Sequence, residues 1–189
     1  MNHFSEIKKT VDNTFPDYLK VETLDLLSFF ESNSMDIQQL FGYWRNQLYY
    51  AVNYKNASVC YILLNGTGDE KQFAPLTIWT DDSQSEWYTN CQLNDDEKII
   101  AWNNVDYCVN CGSCKGGTGK IIFNKPFDNI CRTTMRFTNP DKNTFSVIKK
   151  LLSMRLADIK NDWAYHINFI VGQGLALAVV FTVCFTDNL

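Results

Sequence analysis

Four of the seven cysteines sit at spacings that suit shared chemistry. Cys108-Val109-Asn110-Cys111-Gly112-Ser113-Cys114 sets three thiols at x2 intervals, and Cys131 comes 17 residues after Cys114. Zinc is borderline-soft and takes four ligands in a tetrahedron, so thiolates suit it. A C-x2-C loop can offer two sulfurs to one ion, and glycine permits the tight backbone that this needs. Gly112, Gly116, Gly117 and Gly119 all lie in this stretch. The leading expectation is a structural zinc site made by Cys108, Cys111, Cys114 and Cys131. Three other readings stay open. An iron–sulfur cluster of the bacterial ferredoxin pattern would want a further Cys after a three-residue spacer, followed by Pro, where Lys115-Gly116-Gly117-Thr118 stands. Thiol redox or nucleophilic chemistry at Cys108, Cys111 or Cys114 lacks a βαβ setting. The plainest reading is four ordinary buried cysteines. Cys60, Cys91 and Cys184 read as small hydrophobes.

Other chemistry is hard to find. Lys115-Gly116-Gly117-Thr118-Gly119-Lys120 fails as a phosphate loop: the first glycine would fall at Cys114, and Ile121 replaces the required hydroxyl. No Gly-x-Ser-x-Gly elbow, His-Glu-x-x-His or dinucleotide fingerprint is present. His3 and His166 are the only histidines, one near the N-terminus and one beside a hydrophobic stretch. No catalytic residue is therefore assigned. Trp44, Tyr49, Tyr50, Trp79 and Trp87 could line a small-ligand pocket, although aromatics at this density more often form core.

The elements that must position the cysteines follow from pattern. Residues 3–13 and 18–32 read as helices separated by Pro16, and a short helix is expected at 35–43. Residues 47–54 and 58–64 form a hairpin about Lys55-Asn56. A strand is expected at 73–80, with Pro75 suggesting a sheet edge. Asn94-Asp95-Asp96-Glu97 opens a helix to about Val105. Strands at 120–124 and 133–138 follow, and Asn139-Pro140-Asp141 starts an amphipathic helix to about Lys160. The fold class is α+β: N-terminal helices, a mostly antiparallel sheet, a cysteine-rich loop, then a C-terminal amphipathic helix and a hydrophobic tail. Residues 1–160 form the α+β domain, and 161–189 form a separate hydrophobic segment.

Charge and hydropathy speak to location and partners. The net charge is −4, but residues 1–114 carry 7 basic and 16 acidic side chains, while 115–160 carry 10 and 3. The basic part suggests contact with anionic lipid or, less well, nucleic acid, although a solvated face is the simpler account. The start Met1-Asn2-His3-Phe4-Ser5-Glu6 has no apolar run, so the domain is expected in the cytoplasm with reduced thiols. From Trp163 to Thr186 no Asp, Glu, Lys or Arg occurs. Mean hydropathy there is roughly 2 over a 19-residue window, within the range of a membrane span. Lys149, Lys150, Arg155 and Lys160 precede it and would keep the domain on the cytoplasmic side of an inner membrane, tail-anchored. Asn168, Gly172, Gln173 and Gly174 weaken that reading. Its rival is a buried strand over Leu175–Phe185.

Several segments together resemble a family of small bacterial proteins of uncharacterised function. They are Trp87-Tyr88, Asp96-Glu97-Lys98 with Ala101-Trp102-Asn103-Asn104-Val105, the three cysteines at 108, 111 and 114, and Ile122-Phe123-Asn124-Lys125-Pro126-Phe127-Asp128-Asn129-Ile130-Cys131. Asn139-Pro140-Asp141 through Leu152 and the 48–64 hairpin also fit. The likeness covers about residues 40–158, and the cysteine run with Phe-Asp-Asn-x-Cys is its most specific part. Such proteins usually carry glycine where Asn124 stands, and usually end near the 142–160 helix. The resemblance implies the domain and the cysteines but no reaction.

Overall fold

The computed structural model describes residues 3–41, 48–64, 75–81, 87–90, 92–112 and 114–183, with residues 90 and 163–183 described as backbone. Two helices open the fold, α1 (His3–Thr14) and α2 (Asp17–Ser32), with Pro16 at the break. Ile7 and Val11 of α1 and Leu19, Leu26, Leu27 and Phe30 of α2 are buried at helical spacing, which builds the first layer of the core.

The helix expected at 35–43 is instead a strand, β1 (Asp36–Gln39). Ser34 takes a left-handed φ of 56°, and the Met35 N–H turns back to the Phe30 carbonyl at 3.1 Å. The chain therefore leaves α2 extended, and Ile37 alone of the four strand residues is buried, in a period-2 pattern. The hairpin β2 (Leu48–Tyr54) and β3 (Ala57–Leu64) forms as expected. Its turn residues Lys55 (φ 48°) and Asn56 (φ 67°) are both left-handed, which suits the twist of the flanking strands.

β4 (Leu76–Thr80) is buried at every position and lies between β3 and β7 (Lys125–Thr138). Pro75 thus precedes a central strand rather than marking an edge, since its missing donor falls outside the ladder. Helix α3 (Asp95–Asn103) starts with a reciprocal capping box between Asn94 and Glu97. Then come β5 (Val105–Tyr107), β6 (Thr118–Ile122) and the 14-residue β7. Among the described residues the sheet has seven strands in the order β1-β2-β3-β4-β7-β5, with β6 also on β7, and every pairing is antiparallel. The expected strand at 133–138 is the end of the longer β7, and β5 lies where the sequence pattern shows no strand.

The last helix, α4 (Lys142–Val183), opens where the Asp141 carboxylate accepts from the Thr144 N–H at 2.8 Å. Phe145, Val147, Ile148, Leu151, Leu152, Leu156 and Ile159 bury its first half. The helix does not stop at Lys160 but runs unbroken for 42 residues, about 63 Å. Leu175–Phe185 is accordingly not a strand up to Val183, and the remainder lies outside the described residues, as do Trp44, Cys91 and Cys184. Among the residues whose side chains are described, which leaves out 163–183, no helix is long and apolar enough to cross a membrane.

Candidate functional site: the cysteine loop and the β7 bulge

The cysteine loop leaves the sheet at the end of β5. The Cys108 N–H donates to the Asn129 carbonyl at 2.8 Å, and the Asn129 amide returns a bond to the Cys108 carbonyl at 3.2 Å. Three left-handed residues, Asn110 (φ 54°), Gly112 (φ 80°) and Gly116 (φ 104°), then reverse the chain. It comes back so closely that a Cβ on Gly117 would lie 2.7 Å from the Cys108 Cβ and 2.8 Å from the Asn129 carbonyl carbon. Only glycine fits there. The Asn110 N–H donates to the Cys108 sulfur at 3.4 Å, and the Cys114 thiol to the Gly116 carbonyl at 3.7 Å. Cys108 and Cys114 are half-buried and Cys111 is exposed, so these three are not core cysteines. Cys60, on β3, is the fully buried one. Among the described residues from Tyr107 to Ile121, none is buried.

Cys131 sits in a different environment. Between Val105↔Met135 and Tyr107↔Ile130, β5 advances two residues while β7 advances five, so Cys131 to Thr134 bulge out of register. Thr134 is buried at a φ of 64°, a strained conformation for a β-branched side chain. On the other edge of β7, β6 pairs up to Ile130 and β4 from Arg136, leaving a gap in the ladder. Side chains fill it. The Thr80 hydroxyl donates to the Thr133 carbonyl and accepts from the Met135 N–H. The Lys120 ammonium donates to the Arg132 carbonyl at 3.0 Å and to the Thr134 hydroxyl at 2.6 Å.

Behind the bulge lies Asp106, 8% exposed. It receives the Thr133 hydroxyl at 3.3 Å, the Arg136 guanidinium at 3.4 Å, the Trp79 indole and the Cys131 thiol. Burial nevertheless pushes its carboxyl above the usual range, against the pull of Arg136 and those donors. Burial likewise pulls the Lys120 ammonium down, and the nearby Asp81 and Cys131 partly oppose this.

The four expected ligands thus divide. Cys108, Cys111 and Cys114 share one loop, while Cys131 turns to Asp106. Among the described residues no three His, Cys, Asp or Glu side chains are gathered closely enough to hold a metal ion, and no described cysteine is in a disulfide. Tyr50, Trp79 and Trp87 are buried core residues, and Tyr49 is half-buried with its ring 5.9 Å from Tyr61 and 6.0 Å from Trp79. A surface cleft of about 480 Å³ lies between α1 and α2, lined by Ser5, Lys8, Lys9, Asp12, Asn13 and Glu31. None of the cysteines borders it.

Two features escaped the sequence. One is the Asp106–Lys120 surround of Cys131. The other is a buried ion pair, Asp81 with Arg155 at 3.1 Å, in which Asp81 also accepts from the Trp87 indole at 2.9 Å. No spacing rule signals either, because β7 and α4 bring the partners from far apart. Four of the ten basic side chains at 115–160 have carboxylate partners. Arg136 pairs with Asp106, Lys149 with Asp25, Lys150 with Glu97 and Arg155 with Asp81. Lys125 lies over the Trp102 and Phe127 rings at 4.9 and 5.2 Å. No protein family, curated protein or solved structure matches this chain.

Proposed function

We propose that this chain is a non-catalytic module whose 108–131 region is ordered by zinc. One observation carries the reading: a surface segment of about fifteen residues contributes nothing to the hydrophobic core, yet holds three thiols outside it. Apolar burial cannot meet the entropy of ordering such a segment, whereas one metal–thiolate centre can. Cys108, Cys111 and Cys114 supply three ligands from the loop. Cys131 completes the set by exchanging its bond to Asp106 for the metal. Because the core excludes the loop, the metal orders this region and leaves the rest of the α+β domain standing.

Elemental analysis of the purified full-length chain tests this. About one equivalent of zinc is expected. Cys108→Ser, Cys111→Ser and Cys114→Ser each abolish it, and Cys131→Ser weakens it less, since that thiol already has a partner. Absence of zinc after purification in zinc-supplemented buffer overturns the reading.

Thiol chemistry is a second reading, and the contact of the half-buried Cys131 with Asp106 favours it at that position over the loop. Timed labelling with iodoacetamide separates the two. A metal centre protects the loop thiols until chelation, whereas a working thiol reacts ahead of all others with or without chelator. Nucleic-acid binding draws less support, because Arg136, Lys149, Lys150 and Arg155 already face carboxylates.

A further inference from the structure

The character of α4 changes along its length. Up to Ile159 its buried side chains keep to one side, and Lys160, Asn161 and Asp162 then form an exposed polar collar. Beyond the collar the helix continues to Val183 without a charged residue. In sequence, Phe169, Ile170, Val171, Leu175, Val179 and Phe181 cover the whole helical period, interrupted by the polar Asn168 and Gln173. A helix that is apolar all round belongs inside a large core or inside a bilayer. The other elements of this chain already surround the one-sided half. The stretch from Trp163 to Val183 rises about 30 Å, the thickness of a hydrocarbon layer. Its backbone groups bond within the helix, as a span requires and an isolated strand cannot provide.

We propose that the distal half of α4 inserts into a lipid bilayer, with the α+β domain held at the surface by the polar collar. The attraction is apolar burial, so it does not depend on anionic headgroups. Lys149, Lys150 and Arg155, paired with Asp25, Glu97 and Asp81, contribute little to it. The insertion is independent of the metal reading, since it uses none of the cysteines at 108–131.

The test is cell-free synthesis of the full-length chain with vesicles of pure phosphatidylcholine, followed by flotation before and after an alkaline carbonate wash. The expected result is a chain that floats with the vesicles and resists the wash. Leu175→Lys with Val179→Lys should lower the floating fraction about tenfold or more. A wild-type chain that remains in the dense fractions overturns the proposal, whether it is a monomer with the helix folded onto its own domain, a dimer with the helices paired, or a lipid-free aggregate. Flotation only with anionic vesicles, removed by salt or carbonate, overturns it as well. Chelation during the assay should leave flotation unchanged.

Discussion

Gly117 shows how a single backbone position shapes the site. Its Cα faces both Cys108 and the Asn129 backbone, so the loop closes only if no side chain intervenes. Gly117→Ala should therefore cost about 1–3 kcal/mol of stability or force the loop open. Gly119→Ala meets only ordinary contacts at 3.6 and 3.8 Å and serves as the control. Thermal unfolding with and without zinc compares the two, and equal behaviour would contradict the packing described. Cys60 illustrates the opposite kind of cysteine. Burial, reinforced by the buried Asp81 carboxylate, pushes its thiol well above the ordinary 9.0. In the unfolded chain the same thiol ionises near its ordinary value, so the folded state binds the extra proton. The stability this contributes is complete below that value and is lost as pH rises toward the folded one. Cys60→Ala should flatten the alkaline arm of the stability profile above about pH 9. Urea unfolding at stepped pH reads this directly, and an unchanged slope would count against it.

Elements that carry their own punctuation were legible from sequence. The 48–64 hairpin, α3 with its Asn94 cap and the start of α4 at Asp141 all obey local rules, and the structure places them within a few residues of expectation. What escaped was decided by pairing at a distance. β1 is a strand because β2 offers it an edge, and Asp36-Ile37-Gln38-Gln39 says little on its own. The β7 bulge depends on β5, β6 and β4 meeting one strand, which no window of sequence can show. The same bulge holds Cys131, whose thiol bonds Asp106, a contact that no cysteine spacing signals. The β6–β7 turn joins the two levels. Phe123 (φ 49°) and Asn124 (φ 64°) are both left-handed. Asparagine tolerates this conformation and glycine adopts it freely, whereas alanine pays a steric cost of about 1–2 kcal/mol. Asn124→Gly should thus be neutral or slightly stabilising, and Asn124→Ala destabilising. Chemical denaturation of both variants would refute the turn assignment if alanine were the better tolerated.

Across the whole molecule, one buried charge connects the sheet to the long helix. Arg155, 7% exposed, reaches from α4 to the Asp81 carboxylate, to the Ser58 carbonyl at 3.2 Å and to Asp158 at 2.5 Å. It thereby fastens α4 to β3 and to the residue that follows β4, five residues before the collar from which the distal helix departs. Removing one partner of a buried pair leaves the other charge without compensation, and such losses run to about 3–5 kcal/mol. Arg155→Met keeps the length and apolar stem of the side chain but strands Asp81, which is 2% exposed. The expected outcome is a loss of that order, with the sheet and α4 unfolding together because the link joins both. Arg155→Met combined with Asp81→Asn removes both charges and retains an amide oxygen for the Trp87 indole. Replacing a whole buried pair is often close to neutral, so the double variant should recover most of the loss. A double-mutant cycle in urea measures the difference. Additive losses would mean that Arg155 and Asp81 act separately, and the docking of α4 would then rest on its apolar side alone.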